Sequence, residues 1–303
     1  MANPRNEHKP KRPSALHLPA RLLHLRDAAM RDIMVRNAPP SVVGYNTYQT
    51  SNLRQPSFGA CFIPVGGGAT SYKLGDLKPT DFDPDNDVIA LINPTTLGTD
   101  AQYVYLSKEI ADAAAIDEGG AAGDYDELIG WWDAAIGVGE DGADADNVNI
   151  NVGQAFLGLF ESGNDIGFQS CGEAPDISTS INTDSAKQPF FASYIPKTIK
   201  LGQIVADDFD PDNDVIAVIN PTTLGTDAQY VYMSKEIADA AAIEDGGEAG
   251  DYDELVGWWD AVVGVGEDGA KADNVNVTPG AAFLGLFESG NDITFNFPSS
   301  LAE

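Results

Sequence analysis

The sequence predicts a mainly β protein with two tandem β-sandwich-like domains behind a short N-terminal arm, part helical and part extended. Three observations lead to this prediction: a long internal repeat, many short apolar runs separated by turn residues, and a basic N-terminal segment that has no counterpart in the repeat. Six to eight short strands per unit, separated by Gly, Asn and Asp turns, are typical of sandwiches and barrels.

The internal repeat defines the folding unit. Residues 81–168 recur as residues 208–295 at a constant offset of 127, without insertion or deletion, and 74 of the 88 aligned positions are identical. Weaker matches upstream, such as Gln55-Pro56 with Gln188-Pro189, extend the unit to about 120 residues. Any site that the unit forms is therefore expected twice.

The N-terminal arm is distinct from the repeat in composition. Residues 1–19 are polar and proline-rich, whereas 20–36 carry apolar residues at a spacing of three to four, which is typical of a short amphipathic helix. Pro19 and several charged residues interrupt the apolar part, so it does not match the apolar core of a signal peptide. We expect either another export route or a processed or mis-started leader. The predicted boundaries are 1–40 for the arm, 41–171 for the first domain, 172–184 for a linker and 185–303 for the second domain.

Local patterns place the elements of the first unit in order. Residues 88–93 form a continuous apolar run that ends at Asn93-Pro94, and residues 101–106 alternate in polarity, as expected of a strand. Alanines favour one or two helical turns at 107–116. The expected strands are 42–48, 60–65, 72–77, 88–93, 101–106, 127–134, 147–152, 154–160 and 165–168.

Charge is strongly asymmetric along the chain. The 47 acidic residues outnumber the 17 basic ones and give a net charge of −30, yet residues 1–54 hold nine of the bases and only three acids. An acidic body repels nucleic acid and anionic membranes, and it attracts cations or a basic segment. No run of 18 apolar residues is present, so no transmembrane segment is expected.

An acidic turn at the start of each repeat block is a candidate calcium site. It places four carboxylates at alternate positions, and oxygen donors at this density suit calcium. The motif is not an EF-hand, because it lacks a glycine at its sixth place and has Ile92 at its twelfth. The alternative is an acidic turn that leads into the strand at Val88. The eight candidate ligands are Asp81, Asp83, Asp85, Asp87, Asp208, Asp210, Asp212 and Asp214.

A second acidic loop at 140–147 is a weaker metal candidate. Its twin carries Lys271 where the first copy has Asp144, a change that a strict cation ligand would not tolerate.

Each repeat also contains two adjacent tryptophans, Trp131-Trp132 and Trp258-Trp259. Neighbouring residues of a strand point to opposite faces, so one indole of each pair is expected in the core and the other outside. An outward indole is suited to contact with another subunit or to stacking against a sugar. Burial under a loop is the third alternative.

The two cysteines, Cys61 and Cys171, flank the first repeat block. A disulfide between them would close a loop of roughly 100 residues, for which the chain-entropy model gives on the order of 4–5 kcal/mol. Such a bond would imply an oxidising compartment. Two separate buried thiols are the alternative.

The residue inventory disfavours catalysis. The three histidines, His8, His17 and His24, all lie in the arm, so neither unit owns a base for a Ser–His–Asp or Cys–His site or a histidine for zinc. Carboxylate pairs for glycoside hydrolysis stay open, but acids are so abundant that any chosen pair is arbitrary. The glycines at 66–68 fit a hairpin turn better than a phosphate loop. We therefore expect no enzyme.

Three short motifs carry a resemblance to a known group of proteins. The opening Val-Val-Gly-Tyr at 42–45, the Gly-Trp-Trp-Asp strand and the closing Ala-Phe-Leu-Gly-Leu-Phe-Glu-Ser-Gly-Asn-Asp-Ile resemble uncharacterised secreted bacterial β-sandwich surface proteins. The resemblance covers both units but not residues 1–40. It implies an extracellular or cell-surface β-repeat protein, and it implies no activity.

Together these observations favour a self-assembling structural protein, a subunit of an extracellular filament or surface layer. The partner would be another copy of the chain, reached by the arm or by the strand 42–48 through strand addition. Calcium is the one candidate cofactor, and it would bridge acidic faces. The alternative function is a bivalent adhesin or carbohydrate-binding surface protein with glycans as partners.

Overall fold

The computed structural model describes residues 43–60, 71–93, 96, 98–173, 179–220 and 225–299. Within these ranges the chain is mainly β, with twenty strands and two α-helices, which confirms the predicted fold class. The predicted arm and most of the strand expected at 60–65 lie outside the described residues. All of the described residues belong to one compact unit.

The first half contains ten described strands and one helix. Helix α1 (Lys108–Asp117) follows the sixth strand, and short 3-10 helices occupy Leu74–Asp76 and Asp126–Leu128. The strands are β1 (Val43–Gln49), β2 (Ser57–Gly59), β3 (Ser71–Lys73), β4 (Lys78–Thr80), β5 (Asp87–Ile92), β6 (Thr99–Leu106), β7 (Gly130–Asp133), β8 (Asn149–Asn151), β9 (Ala155–Phe160) and β10 (Gly167–Glu173).

The second half repeats this element order. Helix α2 (Lys235–Glu244) follows its sixth strand, and 3-10 helices occupy Leu201–Gln203 and Asp253–Leu255. The strands are β11 (Thr179–Asn182), β12 (Phe190–Ala192), β13 (Ile199–Lys200), β14 (Val205–Asp207), β15 (Asp214–Ile219), β16 (Thr226–Met233), β17 (Gly257–Asp260), β18 (Asn276–Val277), β19 (Ala282–Phe287) and β20 (Thr294–Phe297).

Each half builds the same three antiparallel sheets. In the first half a five-stranded sheet has the order β2-β9-β5-β6-β7, a three-stranded sheet has the order β1-β10-β4, and β3 pairs with β8. The second half repeats these orders as β12-β19-β15-β16-β17, β11-β20-β14 and β13-β18. The duplication seen in the sequence is therefore a duplication of topology.

Helix α1 begins where its sequence provides a cap. The Ser107 side chain accepts a hydrogen bond from the backbone N–H of Ile110 at 3.3 Å, which satisfies one of the free donors of the first turn. Ala111 and Ala115, one turn apart, are buried, while most of the remaining helix surface is exposed or half-buried. The helix predicted at 107–116 is thus confirmed, and packing of a small-residue face holds it in place.

Each half has its own aromatic core. In the first half Phe58 stacks on Phe168 with ring centroids 4.4 Å apart, and Phe82 meets Trp131 edge-on at 5.6 Å. In the second half the matching pairs lie at 4.7 Å and 5.7 Å: Phe191 with Phe295, and Phe209 with Trp258. Aromatic pairs in these geometries add to the stabilisation that burial alone provides.

Two expected strands are shorter in the structure because 3-10 turns interrupt them. The segment 72–77 ends its strand at Lys73 and turns at Leu74–Asp76, and the segment 127–134 begins with a 3-10 turn before β7. The turn at Leu74–Asp76 lies where the chain passes from the β3–β8 pair to the sheet of β4, and the turn at Asp126–Leu128 lies where the chain returns from helix α1 to the sheet that holds β6 and β7.

The segment predicted as a linker, 172–184, contains strand residues toward both of its ends. β10 continues to Glu173, and Thr179–Asn182 forms β11, which pairs with β20 as β1 pairs with β10. The sequence of β11 does not resemble that of β1, so the repeat could not be followed this far upstream by similarity.

The two halves meet through reciprocal backbone contacts. The N–H of Gly59 donates to the carbonyl of Gly280 at 3.1 Å, and the N–H of Ala192 donates to the carbonyl of Gly153 at 2.8 Å. Gly59 and Ala192 hold equivalent places in β2 and β12, and Gly153 and Gly280 are equivalent in the repeat. Equivalent residues of the two halves thus make the same contacts in both directions. Such reciprocal contacts define an isologous interface around an approximate two-fold axis. We name it the dyad contact.

Further features of the dyad contact obey the same symmetry. Two isolated backbone bridges cross it, Phe58 with Ala281 and Gln154 with Phe191. At its centre the two equivalent residues face each other: a Cβ placed on Gly59 would lie 2.4 Å from the Cβ of Ala192. The halves are therefore paired face to face and do not repeat head to tail.

Candidate functional site

The acidic turns that were predicted to bind calcium are hydrogen-bonded to their own backbone. The Asp87 side chain is fully buried, and its carboxylate accepts from the N–H groups of Asp83 at 2.9 Å and of Ser162 at 3.1 Å. The Asp83 carboxylate accepts from the N–H of Asp85 and the side chain of Asn86. Two of the four carboxylates thus serve the turn itself.

The other two carboxylates of this turn are exposed. Asp81 adopts a φ of 58°, in the left-handed region, and Asp85 lies at the tip of the turn. The twin turn repeats the same bonds around Asp210 and Asp214. In the described part of the chain, no group of three or more acidic, histidine or cysteine side chains is arranged to hold a metal ion. Calcium binding stays a prediction.

The predicted disulfide also stays a prediction. Cys61 lies outside the described residues, and Cys171 is a residue of β10, opposite Tyr45 of β1.

The first tryptophan of each pair is a core residue. Trp131 and Trp258 are completely buried, and their indole N–H groups donate to the carbonyls of Leu77 at 2.8 Å and Ile204 at 2.7 Å. The expectation of one core indole per pair is confirmed. These two side chains are therefore out of reach of a second subunit or a sugar, and they drop out of the candidate interface.

The second tryptophan of each pair differs between the halves. Trp132 is half-buried, whereas Trp259 is only 6% exposed. Both indole N–H groups donate to a carbonyl four residues upstream, that of Leu128 or Leu255. The difference comes from Lys271, whose ammonium lies 4.5 Å from the centre of the Trp259 ring. The expectation of an outward indole is therefore wrong for Trp259, which Lys271 covers.

The ammonium of Lys271 is held by a complete set of acceptors. It donates to the backbone carbonyls of Glu254, at 3.2 Å, and Val256, and it forms an ion pair with Asp273 at 3.3 Å. An ammonium has three N–H donors, and two carbonyls and a carboxylate match that number. The ring face of Trp259 adds a cation–π contact. We name these four groups the ammonium cradle.

The first half has the same backbone frame but no lysine at the position that corresponds to Lys271. The N–H of Asp133 donates to the carbonyl of Ala143 at 2.7 Å, the distance that the equivalent pair shows in the second half. At the place of Lys271 stands Asp144, whose carboxylate accepts from the N–H of Asp146 at 2.9 Å. The equivalent bridges of Trp132 with Asp144 and of Trp259 with Lys271 put residues 144 and 271 at the same place. The sequence showed this substitution, but not the acceptors around it.

A cleft between the halves is a second feature that the sequence did not reveal. It measures about 240 Å³ and lies between β1–β2 of the first half and β18–β19 of the second. Among the described residues, its lining includes the hydroxyl-bearing Tyr48, Ser57 and Tyr230 and no charged side chain. The Ser57 hydroxyl is buried and has no hydrogen-bond partner among the described residues, and burial raises the pKa of Tyr48 to about 12. A cleft with this lining is suited to an uncharged ligand.

Comparison with known proteins adds no relative. Neither helix in the described part of the chain combines the length and apolar character that crossing a membrane requires. No protein family model, curated protein or solved structure matches this chain.

Proposed function

We propose that the protein is a self-assembling structural subunit of an extracellular filament or surface layer. The acidic body of one copy binds the basic N-terminal segment of the next. The observation that carries the proposal is the separation of charge within one chain: residues 1–54 hold nine bases and three acids, and the remainder holds eight bases and 44 acids. Opposite charges on two parts of the same chain steer copies together and fix their order.

The dyad contact supports a role for the arm in assembly. An isologous interface is closed, and here both of its partners belong to the same chain. Growth into a polymer requires a different, heterologous surface. β1 is an edge strand of its three-stranded sheet and pairs with β10 over seven residues, from Val43 with Glu173 to Gln49 with Gly167. A strand from a neighbouring copy would therefore add along the other edge of β1, with the pairing to β10 kept. The arm and this edge of β1 are the two candidate surfaces for such growth, and the charge separation favours the arm.

The glycan-binding alternative receives less support from the geometry. A bivalent sugar-binding protein needs two equal platforms, and the two halves differ at the indole that would serve as one. Trp259 carries the Lys271 ammonium on its ring, whereas Trp132 has Asp144 beside it.

Light scattering and negative-stain electron microscopy of the full-length chain test the proposal. We expect regular assemblies at low ionic strength that dissociate at about 0.5 M salt, where charges are screened within about 4–5 Å. A full-length variant with Lys9→Glu, Lys11→Glu and Arg12→Glu should stay monomeric. Its matched control, Arg5→Lys with Arg12→Lys, keeps the charge and both arm lysines and should assemble. An unaltered chain that remains monomeric at low salt would contradict the proposal.

A further inference from the structure

We propose that the first half contains a binding site for the ammonium group of a lysine side chain from another polypeptide. The site consists of the Trp132 ring, the backbone carbonyls of Glu127 and Ile129, and the Asp146 carboxylate. These are the groups that correspond, at the repeat offset of 127, to the ammonium cradle of the second half.

The second half shows how these groups hold an ammonium. Lys271 donates to the carbonyls of Glu254 and Val256, pairs with Asp273 at 3.3 Å and lies 4.5 Å from the centre of the Trp259 ring. The cradle is thus seen with its cation in place, supplied by the chain itself.

The first half keeps the frame of the cradle. Trp132 forms the same bridge to residue 144 that Trp259 forms to residue 271. The N–H of Ala145 donates to the carbonyl of Trp131 at 2.9 Å, and the equivalent bond in the second half measures 2.8 Å. The carboxylate of Asp146 accepts from the N–H of Trp131 at 2.9 Å, as that of Asp273 accepts from Trp258 at 2.8 Å. The acceptor groups therefore stand in the same places.

What differs is the charge at one position. In the 88-residue block, positions 144 and 271 form the one aligned pair that has an acidic residue in one copy and a basic residue in the other. In the first half the ammonium is replaced by a second carboxylate, and Trp132 is more exposed than Trp259. The site thus lacks an internal cation and gains negative charge.

The geometry selects an ammonium over other cations. Two carbonyls, a carboxylate and a ring face match a compact charge with three donors, whereas a planar guanidinium fork is suited to bidentate partners. The flexible stem of lysine can also deliver its head into a site at the rim of a sheet. The proposed source is the arm of a second copy, which carries Lys9 and Lys11. This choice of source rests on the proposed function, and the site itself does not.

Titration with a lysine analogue tests the site. The probe is Nα-acetyl-lysine methylamide, and the readout is the indole N–H signals of the full-length chain by NMR, with Trp132 assigned from a Trp132→Phe variant. Two chains are titrated: the unaltered chain, and a Lys9→Gln/Lys11→Gln variant whose arm has no lysine that could compete with the probe. We expect a saturable shift of the Trp132 signal with one site per chain and a Kd on the order of millimolar, since a single side chain makes few contacts. The neutral norleucine analogue should leave the signal unchanged.

The repeat provides matched variants that exchange the two sites. Asp144→Lys should fill the first cradle and abolish the shift, and Lys271→Asp should open the second and give two sites per chain. The double exchange should move the shift from Trp132 to Trp259. Both residues occur naturally in this frame, so folding should persist. A shift that survives Asp144→Lys, an equal response to the neutral analogue, or no saturable shift in the Lys9→Gln/Lys11→Gln chain would overturn the proposal.

Measuring assembly together with analogue binding distinguishes a failure of this site from a failure of the proposed function. If the analogue binds while the unaltered chain stays monomeric at low salt, the site stands and the assembly proposal fails. If the chain assembles and Asp144→Lys assembles equally well, assembly stands and the arm lysines are not the ligand of this site.

Discussion

At the centre of the dyad contact, one position of the repeat carries Gly59 in one half and Ala192 in the other. A methyl group on Gly59 would lie 2.4 Å from the Cβ of Ala192, closer than two carbon atoms approach without displacement. Alanine at both position 59 and position 192 therefore does not fit at the two-fold axis of the dyad contact. We expect Gly59→Ala to destabilise the protein by about 1–3 kcal/mol, measured by urea unfolding.

The matched control is the exchange of the two residues. Gly59→Ala combined with Ala192→Gly restores one methyl group at the axis, so its free energy of unfolding should recover most of the loss. A double-mutant cycle then gives a favourable coupling energy. If the double variant is less stable than both single variants, the clash is not the cause.

Tyr48 should make stability fall in alkaline solution. Burial raises its pKa from 10.0 to about 12, so between these values the unfolded chain releases the phenolic proton while the folded chain keeps it. The contribution is fully present below pH 10 and is lost as the pH rises toward 12, by about 2–3 kcal/mol. Tyr48→Phe should therefore flatten the stability curve between pH 10 and 12. An unchanged slope would contradict this prediction.

At the scale of the elements, the sequence predicts best where one local signal decides. The strand at 88–93 and the helix at 107–116 were confirmed because an apolar run or a capped alanine segment determines each of them. β11 was missed because its place is fixed by pairing with β20, more than 100 residues away. The 3-10 turns were missed because they depend on where the chain enters the next strand of a sheet, which non-local pairing sets.

The acidic turn before β5 is stabilised by one buried carboxylate, that of Asp87. The Asp87 carboxylate accepts from the backbone N–H groups of Asp83 and Ser162, and Asp87→Asn keeps the shape but turns an NH2 donor toward one of them. We expect a loss of about 1–3 kcal/mol in the free energy of unfolding, because one donor is left unpaired. The exposed Asp85→Asn is the control and should change stability by no more than about 0.5 kcal/mol. Equal effects of the two variants would contradict the structural role of Asp87.

The same pair of variants tests calcium binding at this turn. A bound ion stabilises the folded state by mass action, so calcium should raise the thermal midpoint of the unaltered chain and chelator should lower it. Asp85→Asn should reduce this effect if the exposed carboxylates are ligands. An identical midpoint in calcium and in chelator would refute the calcium prediction.

At the scale of the whole molecule, the repeat was visible in the sequence but the way its copies pair was not. The dyad contact depends on upstream residues such as Gly59 and Ala192, where similarity between the copies is low. The ammonium cradle combines a β-strand indole, a 3-10 turn and a later loop, so no local pattern reveals it. Only the exchange of Asp144 for Lys271 signalled that the two copies differ in charge there.

The pairing rule of the dyad contact predicts how separated halves would associate. Each half has its own aromatic core, so residues 41–173 and 179–303 should fold as separate chains. A mixed pair places Gly59 against Ala192 and should form. A pair of two copies of the second half would place Ala192 against Ala192 at the axis. The two methyl groups would then clash, as a methyl group on Gly59 would clash with Ala192. The second half alone should therefore remain monomeric.

Sedimentation of the two halves, alone and mixed at about 10–100 μM, measures this preference. Ala192→Gly in the second half removes the clash and should allow it to pair with itself, although with less buried surface than the mixed pair. Self-association of the unaltered second half as tight as the mixed pair would show that the central glycine does not set the pairing. In that case the order of the halves in the chain, and not steric fit at the axis, would determine which surfaces meet.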